Sequence, residues 1–217
     1  MLERADEVGG TWRANHYPGC CCDFPSHVYS YSFELNPAWE RGFAPQPEIL
    51  GYLKRCAEKY GVRGHIRFGH EVTEARWDEA ARRWEIETSE GAFTADFLIN
   101  AGGALSEPKD PDLPGLDSFA GTTFHSAQWD HDHEFRGERV AVIGTGASSI
   151  QFVPAIQPEV GRLYLFQRTP RGSSRASITR SPGSSTCCCA SPTPPPWCAP
   201  SCTGRSSLAW WAFASRG

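Results

Sequence analysis

The sequence predicts an α/β fold: a parallel strand–helix–strand unit accompanied by a small antiparallel β-meander. Three stretches carry that expectation. Arg139-Val140-Ala141-Val142-Ile143 reads as a strand, Gly144-Thr145-Gly146-Ala147-Ser148-Ser149 as a glycine turn, and residues 147 to about 157 as a helix; Arg162-Leu163-Tyr164-Leu165-Phe166 then reads as a second strand. Ile66–Phe68, Glu71–Trp77 and Arg83–Thr88 have the alternation of a meander, with Trp77 and Trp84 expected in its core. Asp96-Phe97-Leu98-Ile99-Asn100-Ala101-Gly102-Gly103 has the apolar run and glycine end of a buried strand entering a turn.

The remaining elements follow in order. Ile49, Leu50, Leu53, Cys56 and Ala57 fall on one helical face between Pro47 and about Tyr60, and Gly61 supplies the stop. Residues 104–118, with Pro108, Pro111, Pro114 and Gly115, predict an extended connector. After Pro170 the composition turns to Ser, Pro, Arg, Cys and Trp without acids or an apolar period. Such a stretch cannot bury enough regular surface to fold alone, so residues 171–217 read as a disordered tail. Five Cys and three Trp are unusual in such a tail, and the same mixture arises when a GC-rich gene is read out of frame, so a frameshifted tail is the favoured reading.

Composition narrows the function. The chain has 217 residues, 40% hydrophobic and 21% charged, which suits a globular core. Residues 1–170 hold all 25 acids against 16 Lys and Arg, and this acidic body argues against nucleic acid as partner. No window approaches a membrane span, and Met-Leu-Glu-Arg-Ala-Asp-Glu is charged where a secretory signal would be apolar. The nine cysteines include two adjacent triplets, Cys20–Cys22 and Cys187–Cys189, and show no disulfide framework. Reduced thiols and a cytoplasmic compartment are expected. No CxxC pair suggests zinc, and Asp130-His131-Asp132-His133-Glu134 reads as a solvated loop rather than a metal cluster.

The chemistry lies in Gly144-x-Gly146-x-x-Ser149, which stands where a Rossmann-like dinucleotide fingerprint belongs, after a strand and opening a helix. Gly144 permits the tight turn, and Gly146 admits a pyrophosphate to the free N–H groups of Ala147, Ser148 and the helix start, with Thr145 between the glycines. Ser149 takes the place of the usual Gly or Ala. The second strand ends in Gln167-Arg168-Thr169 with no carboxylate, so Arg168 and Thr169 suit the 2′-phosphate of NADP better than the 2′-hydroxyl of NAD. Leu2-Glu3-Arg4 followed by Val8-Gly9-Gly10-Thr11-Trp12 reads as a strand end with a ribose-binding acid. The glycine loop that such an acid follows would precede Met1, and this predicts a chain lacking its first strand, phosphate loop and helix.

These residues resemble the Baeyer–Villiger monooxygenases, class B flavoprotein monooxygenases related to the flavin-containing and N-hydroxylating enzymes. Phe119-x-Gly121-x-x-x-His125-x-x-x-Trp129-Asp130 fits the family signature FxGxxxHxxxW[PD]. Gly9–Trp12, Tyr17-Pro18-Gly19, Asp23 with Tyr29–Phe33, Ala101–Gly103, Pro114-Gly115 and the Gly144–Ser149 turn come in the family's order. The resemblance covers residues 1 to about 170. It implies a two-dinucleotide-domain fold, with FAD in one Rossmann-like domain and NADPH in a second inserted into it.

Implied domains are 1–118 (partial FAD domain with the meander), 119–136 (signature connector), 137–170 (partial NADP domain) and 171–217 (tail). The implied reaction uses NADPH and O2 to insert an oxygen atom into a small-molecule ketone through a C4a-peroxyflavin. The sister branches oxidise nitrogen or sulfur instead. An inactive remnant or a module that binds NADP alone is the other alternative. By position, Glu3 would hold the FAD ribose and Gly10, Thr11 and Trp12 would line the flavin. Asp23 matches the family's acid near flavin and nicotinamide, whose arginine partner lies beyond the in-frame residues. His125 is expected to couple domains rather than act as a base, and Cys20–Cys22 to pack beside the flavin. Weak or no FAD binding is expected of the 217-residue chain.

Overall fold

The computed structural model describes residues 1–103, 105, 107–109, 111–168 and the strand 211–215. The chain forms two compact units: Met1–Ala14 with Ile49–Glu107, and Asn15–Glu48 with the residues from Pro108 onward. The first 118 residues therefore contribute to both.

In the first unit a one-turn helix, α1 (Thr11–Ala14), follows the Gly9-Gly10 turn. Helix α2 (Gln46–Lys59), most of which belongs here, lies within a residue of the predicted span. Its Ile49, Tyr52 and Cys56 are buried at helical spacing. Gly61, at φ +64°, closes it in the left-handed conformation that glycine adopts without a Cβ penalty. The meander runs β1 (Val72–Asp78), β2 (Arg83–Thr88) and β3 (Gly91–Ala95), in that spatial order and antiparallel throughout. Asp78 makes the first turn, its carboxylate accepting from the N–H groups of Ala80 and Ala81.

Three expectations for this unit need correction. The run Ile66–Phe68 is not a meander strand. Arg67 instead forms an isolated parallel bridge with Leu2, with the Glu3 N–H donating to the Arg67 carbonyl at 3.0 Å. The third meander strand is Gly91–Ala95, set by the tight Thr88–Gly91 turn, a stretch to which the sequence assigned no element. Residues 97–100 form no ladder among the described residues, and Phe97 and Ile99 are each 87% exposed rather than buried. A parallel strand is buried by flanking strands, and none flanks this one among the described residues. Trp77 and Trp84 face each other across the ladder, rings 5.7 Å apart, but Trp77 stays exposed and Ile86 is the buried residue of β2.

The second unit holds β4 (Thr122–His125), β5 (Arg139–Ile143), helix α3 (Ala147–Ile156), β6 (Arg162–Phe166) and β7 (Trp211–Ser215). β5 and β6 pair in parallel, Arg139 with Arg162 through Ile143 with Phe166, and α3 is their crossover. Within the tail, Trp211–Ser215 is the described part. It forms a strand that pairs antiparallel with both β4 and β5, giving the order β4-β7-β5-β6. Val140, Val142 and Phe152 are fully buried. Around them Phe124, Trp129 and Phe135 join Phe152 in an aromatic cluster, with Trp129 at 5.2–5.6 Å from the other three rings.

His133 is part of this cluster and not of a solvated loop. It packs on Phe135 at 5.0 Å, and its Nε2 lies 2.9 Å from the buried Glu138 carboxylate. A buried carboxylate demands such a partner, and the aromatic pocket brings the imidazole to it.

Candidate dinucleotide site

β5 delivers the chain into a glycine turn. Gly144 sits at φ +113°, a conformation that a side chain rarely allows, and its N–H donates to the Phe166 carbonyl at 2.9 Å. The turn is thus tied to the end of β6, the side from which Gln167 and the exposed Arg168 leave. Gly146 is the N-cap of α3 and supplies no side-chain cap; its carbonyl accepts the first ladder bond, from Ile150 at 3.0 Å. The amides of Ala147, Ser148 and Ser149 precede that bond and have no partner within the helix ladder. Uncapped amides and an aligned helix dipole suit an anion, so these residues fit a pyrophosphate.

Ser149 is buried and its hydroxyl has no partner. An unsatisfied buried hydroxyl costs about 1 kcal/mol or more. Ser149→Ala is therefore expected to raise unfolding stability by about 1 kcal/mol in urea denaturation. A loss of stability would show that the hydroxyl is used.

Gln151, one turn further along α3, was not singled out by the sequence reading. Its Oε1 accepts from the Tyr17 hydroxyl at 2.9 Å and the Cys21 N–H at 3.1 Å, and its Nε2 donates to the Cys21 carbonyl at 2.9 Å. Gly19, at φ +77°, lets the loop close on the same helix, for a Cβ there would stand 2.7 Å from the Gln151 carbonyl oxygen. On its other side the segment pairs with residues 44–46: Cys22 N–H to Ala44 O at 2.8 Å, and Gln46 N–H to Cys20 O at 2.9 Å. Asp23 follows at once and is exposed.

The four described cysteines, Cys20, Cys21, Cys22 and Cys56, are free thiols. Burial pushes the Cys20 thiol up to about 11 and raises those of Cys21 and Cys22, the nearby Asp23 charge adding to the last two. Reactive thiols need the opposite shift, so the chemistry of the triplet favours packing. The folded chain keeps the Cys20 proton above pH 9, where the unfolded chain releases it. Stability must then fall as pH rises from 9 towards 11, by about 1 kcal/mol at pH 10 for Cys20 alone. Urea midpoints at pH 7.5 and pH 10 check this, and Cys20→Ala should reduce the difference.

The predicted site residues divide between the units. In the first, Glu3 accepts from the Ala5 N–H at 2.8 Å beside the Leu2–Arg67 bridge. Gly9 and Gly10 take φ +130° and +49°, a Cβ on Gly9 would collide with Leu50, and Thr11 and Trp12 open α1. In the second stand Asp23, Gly144, Thr145, Gly146, Ala147, Ser148 and Arg168; Thr169 lies outside the described residues. The signature residues belong to the same unit. Phe119 is exposed, Gly121 precedes β4, and buried His125 ends it. His125 Nδ1 accepts from the Ala127 N–H at 3.0 Å, capping the short turn Ser126–Gln128. Trp129 fills the aromatic cluster, and the Asp130 carboxylate accepts from the Asp132 N–H. No cluster of three or more His, Cys, Asp or Glu able to hold a metal occurs among the described residues.

A parallel strand, glycine turn and uncapped helix of this kind define a dinucleotide-binding α/β protein. The chain belongs to the pyridine nucleotide-disulphide oxidoreductase family, whose profile matches residues 27–173. It is similar to a Baeyer–Villiger monooxygenase of Streptomyces coelicolor, 59% identical over 170 residues, covering 78% of this chain and 33% of the relative. A Baeyer–Villiger monooxygenase of Pseudomonas aeruginosa is 53% identical over 171 residues, 78% of this chain and 32% of its own. Among solved structures, the complex of OTEMO with FAD and NADP is 43% identical with a TM-score of 0.71, over 78% of this chain and 34% of that one. The chain thus spans about a third of the length of the curated relatives it matches. No described helix is long and apolar enough to cross a membrane.

Proposed function

We propose that this chain carries the NADP-binding turn and part of the flavin-binding surface of a Baeyer–Villiger-type monooxygenase acting on a small-molecule ketone with O2. The β5–α3 turn is the observation that carries this reading: Gly144 at positive φ, an uncapped helix start, and a basic residue past β6. Gly144, Thr145, Gly146, Ala147 and Ser148 would hold the pyrophosphate of NADP, with Arg168 and Thr169 meeting its 2′-phosphate. Glu3 would accept from the FAD ribose, and Gly10, Thr11 and Trp12 would border the flavin. When bound, the two cofactors supply the reduction of dioxygen that lets one oxygen atom be inserted beside a ketone carbonyl.

The residues of this chain hold and orient. Asp23, exposed at the end of a segment hydrogen-bonded on both sides, presents its carboxylate to solvent. His125 has its Nδ1 engaged as an acceptor, so its proton resides on Nε2 and its role is to fix the signature turn. The free thiols support a reducing cytoplasmic compartment.

Calorimetric titration of the 217-residue chain with NADP+ and NAD+ tests the nucleotide site. Saturable binding that favours NADP+ is expected, and no heat from either would overturn it. Grafting residues 1–168 into the matching third of the Streptomyces coelicolor relative tests the chemistry. The chimera should convert a cyclic ketone to its lactone, whereas exclusive oxidation of amines would move the chain to the nitrogen-oxidising branch.

A further inference from the structure

Cys20–Cys22 behaves as the middle strand of a three-layered ladder whose third member is a side chain. Residues 44–46 pair with the Cys20 carbonyl and the Cys22 N–H. The N–H and carbonyl of Cys21 face the other way, and the Gln151 carboxamide meets both, accepting at 3.1 Å and donating at 2.9 Å. It offers what a peptide group of a neighbouring strand would offer. Its Oε1 also receives the Tyr17 hydroxyl, which hydrogen-bonds Ser148 as well. Ser148 belongs to the first turn of α3, whose amides form the candidate pyrophosphate cradle. Tyr17 also packs edge-on against Phe152 at 6.0 Å. One helix face, spanning Ser148, Gln151 and Phe152, therefore grips the segment that leads into Asp23.

We propose that Gln151 is a positioning residue that couples occupancy of the Gly144–Ser149 turn to the placement of the Tyr17–Asp23 segment. The coupling rests on the nucleotide reading above; the docking rests on the hydrogen bonds alone. A phosphate on the first-turn amides fixes Ser148 and the helix start, which steadies Tyr17 and Cys21 and so the Asp23 carboxylate that follows. Reciprocity requires that undocking the segment weaken the nucleotide by the same factor.

The experiment measures the labelling rate of Cys21 by dithiodipyridine, resolved by peptide mass spectrometry, in the 217-residue chain with and without saturating NADP+. In the wild-type chain NADP+ should slow Cys21 labelling about five-fold or more. Gln151→Met, which keeps the bulk and loses the hydrogen bonds, should label about ten-fold faster, lose most of the NADP+ effect, and bind NADP+ about ten-fold more weakly by calorimetry. Gln151→Glu adds a pH readout. A neutral carboxyl donates and accepts as the carboxamide does, whereas the carboxylate repels the Cys21 carbonyl. Its labelling rate relative to wild type at the same pH should approach one as pH falls to about 4 and the carboxyl protonates, and be about ten-fold higher at pH 8, while the Gln151→Met ratio stays flat. A role in packing alone would not produce that pH dependence.

Wild-type labelling in Gln151→Met, or a flat ratio in Gln151→Glu, overturns the docking. NADP+ protection that survives in Gln151→Met, or binding without protection in the wild-type chain, overturns the coupling. Should the wild-type chain bind no NADP+ while both variants label as expected, the nucleotide reading fails and takes the coupling with it, and the docking by Gln151 stands.

Discussion

Arg168→Ala should weaken NADP+ by about ten- to a hundred-fold while leaving NAD+ affinity unchanged. The expectation follows from where the residue stands. β5 and β6 end in register, Ile143 beside Phe166, and the Gly144 N–H is bonded to the Phe166 carbonyl. A nucleotide whose pyrophosphate lay on the Gly144–Ser149 turn would direct its ribose towards the end of β6, where Arg168 is exposed and the sequence Gln167-Arg168-Thr169 holds no carboxylate. A hydrogen bond to a charged group is worth about 1.5–3 kcal/mol, which sets the size of the loss. Arg168→Lys should retain part of the affinity, because a point charge replaces a planar fork of donors. Isothermal titration of both nucleotides into each variant reads the result. Equal weakening of NADP+ and NAD+ would place Arg168 away from the 2′-phosphate.

Phe152→Ala should cost about 3–4 kcal/mol of stability, the largest effect of any single truncation proposed here. Phe152 is wholly buried in α3 and meets Trp129 at 5.2 Å and Tyr17 at 6.0 Å. The cavity would open beneath the signature tryptophan and the Tyr17 loop together, so neither can collapse into it without releasing the other. Urea unfolding followed by tryptophan fluorescence gives the measurement. A loss below about 1 kcal/mol would mean that the cluster repacks freely.

What could be read from the sequence were the elements whose partners are adjacent in the chain. β5, the glycine turn, α3 and β6 form one local unit, and hydrophobic runs with glycine punctuation spell it out. α2 announced itself through a single apolar face closed by Gly61. The misreadings concern long-range partners. Phe97–Asn100 has the composition of a buried strand, and composition cannot say whether neighbours arrive. His133 looked like one charge in a solvated run, and only the fold brings it to Glu138 and the rings of Phe124 and Phe135.

The candidate site divides in the same way. Gly144 and Gly146 carried their meaning in their spacing. Gln151 did not, because its partners Tyr17 and Cys21 lie more than 125 residues upstream. Its position three residues after Ser148 was the one available signal, since that interval puts two side chains on the same helical face.

The bare run at Phe97–Ile99 also governs how the molecule behaves in a tube. Two greasy side chains project into water from a backbone that joins no ladder among the described residues, and like segments on separate molecules can satisfy both needs by zipping together. Crowding thus favours self-association through this stretch, and a lysine in place of Ile99 would set like charges against each other along such a seam.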